Sequence, residues 1–183
     1  RFGLLTESFS WNADGTLASR ADAAGHATNY SGYVRGLPQL VTYADGSTES
    51  AVVNGLGLVT SLTNAAGTTT GYAYDAAGRL ALITPPADSG LSYYPTTLSF
   101  VPVASIEYGL PSGHWRQTVT TGNAVTVRYF DALYRPLITR TYDAADEAST
   151  SRVVQQRWDA DGRKVFESYP LRSIAAFNTS VYG

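Results

Sequence analysis

The sequence predicts an all-β fold of stacked hairpins, and three observations predict it. Gly15, Gly36, Gly57 and Gly78 recur every 21 residues, and Gly25, Gly46 and Gly67 keep the same spacing ten residues later. Between these glycines run Thr-, Tyr- and Val-rich stretches of six or seven residues, a strand composition with turn punctuation. Helix signals are scarce, and the nearest candidate, Leu171–Phe177, is short and follows Pro170. A fixed period marks a repeat architecture, and 21 residues hold two strands and two tight turns.

Turns are expected at Asn12–Gly15, Asp22–Gly25, Ala44–Gly46, Asn64–Gly67 and Asp75–Gly78. Glycine suits a turn position with positive φ, and an Asp or Asn three residues earlier can bond the turn's amides. The copy with the fullest pattern reads Tyr72-Ala73-Tyr74-Asp75-Ala76-Ala77-Gly78-Arg79-Leu80. Tyr72 and Tyr74 stand two apart, so both point to one face of a strand. Stacking in register would place Phe9, Tyr30 and Tyr72 in one column of that face, and Trp11, Val53 and Tyr74 in the next.

The period breaks after Thr84. Residues 1–84 are therefore read as hairpins of 21-residue period, and 85–113 as a Pro-rich insertion, either a covering loop or irregular strands over the sheet. Residues 114–183 are read as degenerate hairpins with longer loops. Within them, strand pattern returns at Trp115–Thr120 and Val125–Phe130. Two weaker motif copies follow. One runs from Tyr129 through Phe130 and Asp131 to Leu137, with Tyr134 where the glycine belongs. The other runs from Arg157 through Trp158 and Asp159 to Gly162 and Arg163. Phe130 and Trp158 lie 28 residues apart, so a lengthened loop is expected at 144–151.

Composition narrows the function classes. The chain is 44% hydrophobic and 15% charged, with a formal net charge of −2. That excludes wholesale disorder and offers no basic surplus for nucleic acid. Without cysteine there is no disulfide, thiolate zinc site or cysteine nucleophile. With no methionine and Arg1 in first place, the sequence is expected to be an internal piece of a longer chain. No apolar run reaches the roughly 20 residues of a membrane helix.

The stretch Tyr72–Leu80 resembles the core of the RHS repeat, also called the YD repeat, with the pattern Tyr-x-Tyr-Asp-x-x-Gly-Arg-Leu. Tyr72, Tyr74, Asp75, Gly78, Arg79 and Leu80 carry the resemblance, and Phe130, Asp131, Trp158, Asp159 and Gly162 carry its weaker copies. Similar repeats occur in bacterial RHS polymorphic toxins, in the B and C components of insecticidal Tc toxins and, more distantly, in teneurins. The resemblance implies a spiralling β-sheet that closes into a hollow shell around a C-terminal toxin domain. It implies as partners the remainder of that shell and the enclosed domain, and a secreted or cell-surface setting. The family's Asp-Pro autoproteolysis motif has no counterpart, because the chain contains no Asp-Pro dipeptide.

No catalytic residue and no cofactor is expected. His26 and His114 are the only histidines, each reads as a solvated turn residue, and no Gly-x-Ser-x-Gly elbow is present. Asp159-Ala160-Asp161-Gly162 resembles the start of a calcium loop, but Pro170 stands where its acidic twelfth ligand belongs, so no metal site is expected. The alternative function is a surface carbohydrate-binding or adhesin module. Its glycan candidates are Tyr93 and Tyr94, which lie off the repeat. The main expectation is a structural shell segment without enzymatic activity.

Overall fold

A computed structural model describes residues 6–87, 91 and 93–179. The fold is all-β, with fourteen strands and one short helix among the described residues, and it divides into two compact units between Tyr93 and Tyr94. The first unit holds β1 (Glu7–Trp11), β2 (Leu17–Asp22), β3 (Ala27–Ser31), β4 (Leu40–Thr42), β5 (Thr48–Val53), β6 (Val59–Thr63), β7 (Thr69–Tyr74) and β8 (Leu80–Thr84). Each of these strands pairs antiparallel with its neighbour in sequence. The second unit holds β9 (Thr96–Pro102), β10 (Trp115–Thr121), β11 (Ala124–Phe130), β12 (Pro136–Asp143), α1 (Glu147–Thr150), β13 (Arg152–Trp158) and β14 (Lys164–Glu167). Its strands form the same kind of antiparallel meander.

The two glycine series mark tight turns, as their spacing predicts. At every glycine of the two series but Gly36, the carbonyl of the residue three before accepts the glycine's N–H, and that residue's own N–H donates to the carbonyl one residue beyond the glycine. At Gly36, Val34 and Leu37 close a two-residue turn instead. Asp75 accepts from Gly78 at 2.9 Å and donates to Arg79 at 2.8 Å. Just past the turn, the second strand gains one residue. Tyr74 opposes Leu80 and Ala73 opposes Leu82, so Ala81 is a bulge residue. The same bulge follows Trp11, Val53, Phe130 and Trp158. A bulge bends the strand and re-aims the neighbouring side chain. Here it recurs beside the motif's aromatic position.

Between hairpins the register is constant. The residue four after the turn glycine pairs with the one seven before the next: Ser19 with Asn29, and Ser61 with Gly71. In the second unit Ile138 pairs with Gln155, with Tyr134 counted as the glycine. Phe9 therefore lies across Arg20, and Arg20 across Thr28, while the motif equivalent of Phe9 is Tyr30. Each repeat thus slips two residues along the strand, about 6.6 Å at 3.3 Å per residue. The expected straight column of Phe9, Tyr30 and Tyr72 is a staircase instead. The residues keep one face, because a two-residue slip preserves side-chain parity. The longer second-unit repeat keeps the same slip, since Thr126 lies across Thr141 and Thr141 across Arg152. Its extra residues lie outside the paired segments, where α1 forms between β12 and β13.

Pairing defines two segments outside the repeat. Leu171–Phe177 is not helical: Leu171 pairs with Val153, and Ile174 and Phe177 pack against the core. The stretch 85–113 contains regular strand pairing. Thr96–Pro102 is strand β9, paired with β10 along seven residues. Pro95 and Pro102 sit before and at the end of this strand, where missing N–H groups cost little, and they obscured it.

The units bury different amounts. In the second, Leu110, Val125, Val127, Tyr129, Ile138 and Val153 form a core, with Ile138 and Val153 only 0% and 1% exposed. On the other face Phe100 stacks on Trp115 at 4.9 Å and meets Phe130 edge-on at 5.6 Å. In the first unit, Val53 is the one buried apolar side chain among the described residues. That unit is a single sheet layer with half-exposed faces.

The out-of-register Gly109 differs from expectation. Lying outside the 21-residue series, it is expected to tolerate substitution better than Gly78. Yet its φ is +73°, in a two-residue turn closed by Glu107 and Leu110. Both central residues have positive φ there, Tyr108 at +50° included, as a hairpin turn of this kind requires. The useful comparison is Gly55, whose φ is not positive and whose surroundings are open. Gly78→Val should destabilise by at least ~1 kcal/mol, because φ there is +77°, whereas Gly55→Ala should be neutral or slightly stabilising. Equal shifts in thermal midpoint at the two sites would contradict the turn assignment.

Candidate functional site

The repeat motif builds one recurring unit of turn and clamp. Asp75 Oδ1 accepts the backbone N–H groups of Ala77 and Arg79, each at 2.9 Å. Its Oδ2 accepts Arg79 Nε at 2.7 Å. Asp131 with Arg135, and Asp159 with Arg163, repeat this arrangement. Asn54 and Asn64 supply the amide contacts without the ion pair. The Asp and Arg of the motif therefore form a self-contained staple across the turn. In place of the glycine, Tyr134 takes φ +58°. Its ring packs on Trp115 and Phe100, at 5.7 and 5.9 Å, which offsets the backbone cost.

The motif's aromatic residue reaches the preceding hairpin. Tyr74 donates its hydroxyl to the Val59 carbonyl at 2.7 Å. Trp158 Nε1 donates to the Pro136 carbonyl at 2.8 Å. In the repeat that has Gly32 at this position, Tyr33, one residue later, donates to the Leu17 carbonyl at 2.6 Å. In all three the acceptor is the residue two after the turn glycine or its substitute, where the bulge interrupts regular pairing. Phe130, which cannot donate, packs among aromatic rings instead. Arg135 adds a link the other way, from Nη1 to the Asp159 carbonyl of the next hairpin at 2.9 Å. Tyr72 lies opposite Ile83 and Leu80 opposite Tyr74, so both belong to the sheet itself. Sequence spacing exposed the turn but not the clamp, whose acceptor lies on a neighbouring strand.

Electrostatics follow from this geometry. The Arg79 backbone N–H, then its guanidinium, hold the Asp75 carboxyl below the ordinary 3.8. Asp159 is lowered in the same way by Arg163. At Asp131 burial pulls upward, but the bonds from Arg135 outweigh it. A carboxyl with a lowered folded-state value contributes stability above its unfolded value and loses it as pH falls through the folded one. The thermal midpoint should therefore be flat above about pH 5 and fall below about pH 4. A midpoint that rises on acidification below pH 4 would contradict the staples.

The other candidates resolve individually. His26 pairs with Asp22 at 2.9 Å in an exposed turn. His114, expected to be solvated, is buried: Nδ1 lies 2.8 Å from the Pro111 carbonyl and Nε2 lies 3.3 Å from Glu107 Oε2. Arg116 Nη1 also donates to Glu107, at 2.7 Å. This cluster borders a recess over β10–β12, where burial, then Tyr108 and Glu107, push the Tyr129 phenol up to about 12. Tyr93 and Tyr94 are 51% and 71% exposed, and the Tyr94 ring lies against the Gly122 turn. In the calcium-like stretch, Asp159 and Asp161 are both engaged by Arg163. Among the described residues no three of His, Asp and Glu gather as a metal centre would need. No helix among them is long and apolar enough to cross a membrane.

Comparison with known proteins agrees with this geometry. Residues 54–89, which include the complete staple at Asp75–Arg79, match the family described as RHS Repeat. That segment carries an RHS repeat. Its fold is similar to part of a Photorhabdus luminescens Tc holotoxin pore structure, with a TM-score of 0.58 at 15% identity. The match covers 86% of this chain but only 8% of the toxin chain. No curated protein matches the sequence.

Proposed function

We propose that this chain is a structural segment of an RHS/YD-repeat shell that encloses a C-terminal toxin or effector domain before delivery from a secreted or cell-surface system. It works as wall, without a catalytic site or cofactor of its own. The observation that carries the reading is the first unit. There, a constant two-residue slip joins hairpins into one sheet layer, and that layer buries one apolar side chain among its described residues. A steady slip coils a sheet as a closed wall requires, and a half-buried face suits a cargo packed against it.

The test is limited proteolysis of the complete gene product. Segments C-terminal to the repeats should resist cleavage until the sheet melts, and cleavage at the rate of an unfolded chain contradicts the reading. The exposure of Tyr93 and Tyr94 supports the alternative of a carbohydrate-binding module. Glycan-array binding that disappears in Tyr93→Ala and Tyr94→Ala would favour that alternative.

A further inference from the structure

The recess over β10, β11 and β12 serves neither the turns nor the clamps. Its volume is about 520 Å³, within the roughly 300–1,000 Å³ of small-molecule sites. Antiparallel register builds its floor. Arg116 lies across Tyr129, and Thr118 and Arg140 lie across Val127 from either side. The two arginines therefore stand on the strands flanking β11 and share one face with the Tyr129 phenol. Tyr142 continues that face along β12. Tyr108 forms a wall, edge-on to the Tyr129 ring at 5.3 Å. The Phe177 N–H donates to the Tyr108 carbonyl at 2.7 Å and ties this wall down.

The chemistry of this recess is one-sided. Tyr129 is only 5% exposed and lines it, yet its hydroxyl has no hydrogen-bond partner among the described residues. A buried hydroxyl left unpaired costs stability, so its retention calls for a partner from outside. Burial holds its ionisation up at about 12, which keeps it an O–H donor at neutral pH. Arg116 gives one N–H to Glu107, and Arg140 gives N–H groups to Glu147 and Ser151, so each guanidinium keeps others to offer. Arg140 also lies over the Tyr142 ring at 4.5 Å. Glu107 faces Arg116 with one oxygen and His114 with the other, so it is already engaged. Donors thus converge where no charged acceptor is free. We infer that the recess binds an acidic sugar, its carboxylate held by Arg116, Arg140 and the Tyr129 hydroxyl and its ring set against Tyr108 and Tyr142. Planar guanidinium forks match a carboxylate. The tyrosine rings suit the C–H faces of a pyranose, and Tyr108, Tyr142 and Thr118 add hydroxyls to the lining for its ring oxygens, which a lone acidic side chain would leave unused.

The inference rests on neither the shell reading nor the glycan candidates Tyr93 and Tyr94. It is tested by NMR titration of the whole chain with D-glucuronate, with D-glucose as the neutral sugar and succinate as the ringless carboxylate. Glucuronate should saturate with a dissociation constant of about 1 mM. Glucose and succinate should each bind at least about tenfold more weakly. Tyr129→Phe should weaken glucuronate about tenfold, and its thermal midpoint should be unchanged or higher, because the hydroxyl it loses has no partner in the fold. Arg140→Lys keeps a charge for Glu147 but loses the fork, and should weaken binding about fivefold. Leu133→Ala, on an exposed turn, should leave binding unchanged. Circular dichroism establishes that each variant is folded. No saturation by about 10 mM glucuronate overturns the proposal. So does glucose or succinate binding as tightly as glucuronate, or a Tyr129→Phe variant that binds as well as the wild type. None of these results bears on the protease test of the enclosing shell, so the two readings fail separately.

Discussion

Ile138→Ala should destabilise the second unit by about 3–4 kcal/mol. The side chain is 0% exposed and packs with Val127, Tyr129 and Val153 at the centre of that unit's core. Truncation removes its buried area and leaves a cavity whose walls are β-strands paired on both sides, so little collapse can refill it. Leu56→Ala, at a turn position 82% exposed, should change stability by less than about 0.5 kcal/mol. Urea denaturation followed by tryptophan fluorescence reads both, and Trp115 and Trp158 report on the second unit. Losses of equal size at Ile138 and Leu56 would mean that the core is not where the packing places it.

Deleting residues 37–57 should leave a folded chain, and deleting 37–47 should not. The first removes one full period, including β4, β5 and the turns between them. Gly36 then joins Leu58 in the place of Gly57, so β3 and β6 become a hairpin with the turn phase, strand direction and facing of the original. The second removes β4 with its following turn and joins Gly36 to Thr48. Every later strand of the first unit must then run in reverse, and its pattern of half-buried positions no longer meets the same neighbours. The longer deletion should melt cooperatively with wild-type-like circular dichroism, and the shorter should be protease-sensitive. Similar behaviour of the two deletions would rule out stacked repeats.

Much of this architecture was legible in the sequence because it is local. A glycine that must take positive φ, and an Asp or Asn three residues before it, sit within one turn and repeat visibly. Gly78 and Asp75 are where and what their spacing implied. What escaped depends on strands that are distant in sequence. The bulge after Tyr74 adds a residue without altering the 21-residue period, so periodicity cannot see it. The two-residue slip is a property of pairing between strands, and so turned an expected column into a staircase. Tyr74 was visible as a motif residue, but its role rests on the Val59 carbonyl of the preceding hairpin. His114 read as a solvated turn residue because its partners, Pro111 and Glu107, are brought to it by the hairpin at Tyr108–Gly109. Strand β9 was hidden by prolines that its ends can tolerate.

The constant register between hairpins underlies the clamp and the proposed wall, and the absence of native cysteine makes it directly measurable. The measurement is oxidative cross-linking of paired cysteines introduced across β2 and β3. Ser19 and Asn29 are direct partners, and opposed residues in an antiparallel pair lie within disulfide reach. The variant carrying Ser19→Cys and Asn29→Cys should cross-link rapidly and quantitatively as a folded monomer. The variant carrying Ser19→Cys and Ser31→Cys, displaced by the two residues that an unslipped stack would require, should stay reduced under the same conditions. Preferential cross-linking of the Ser31 pair would contradict the two-residue slip, and with it the proposed wall.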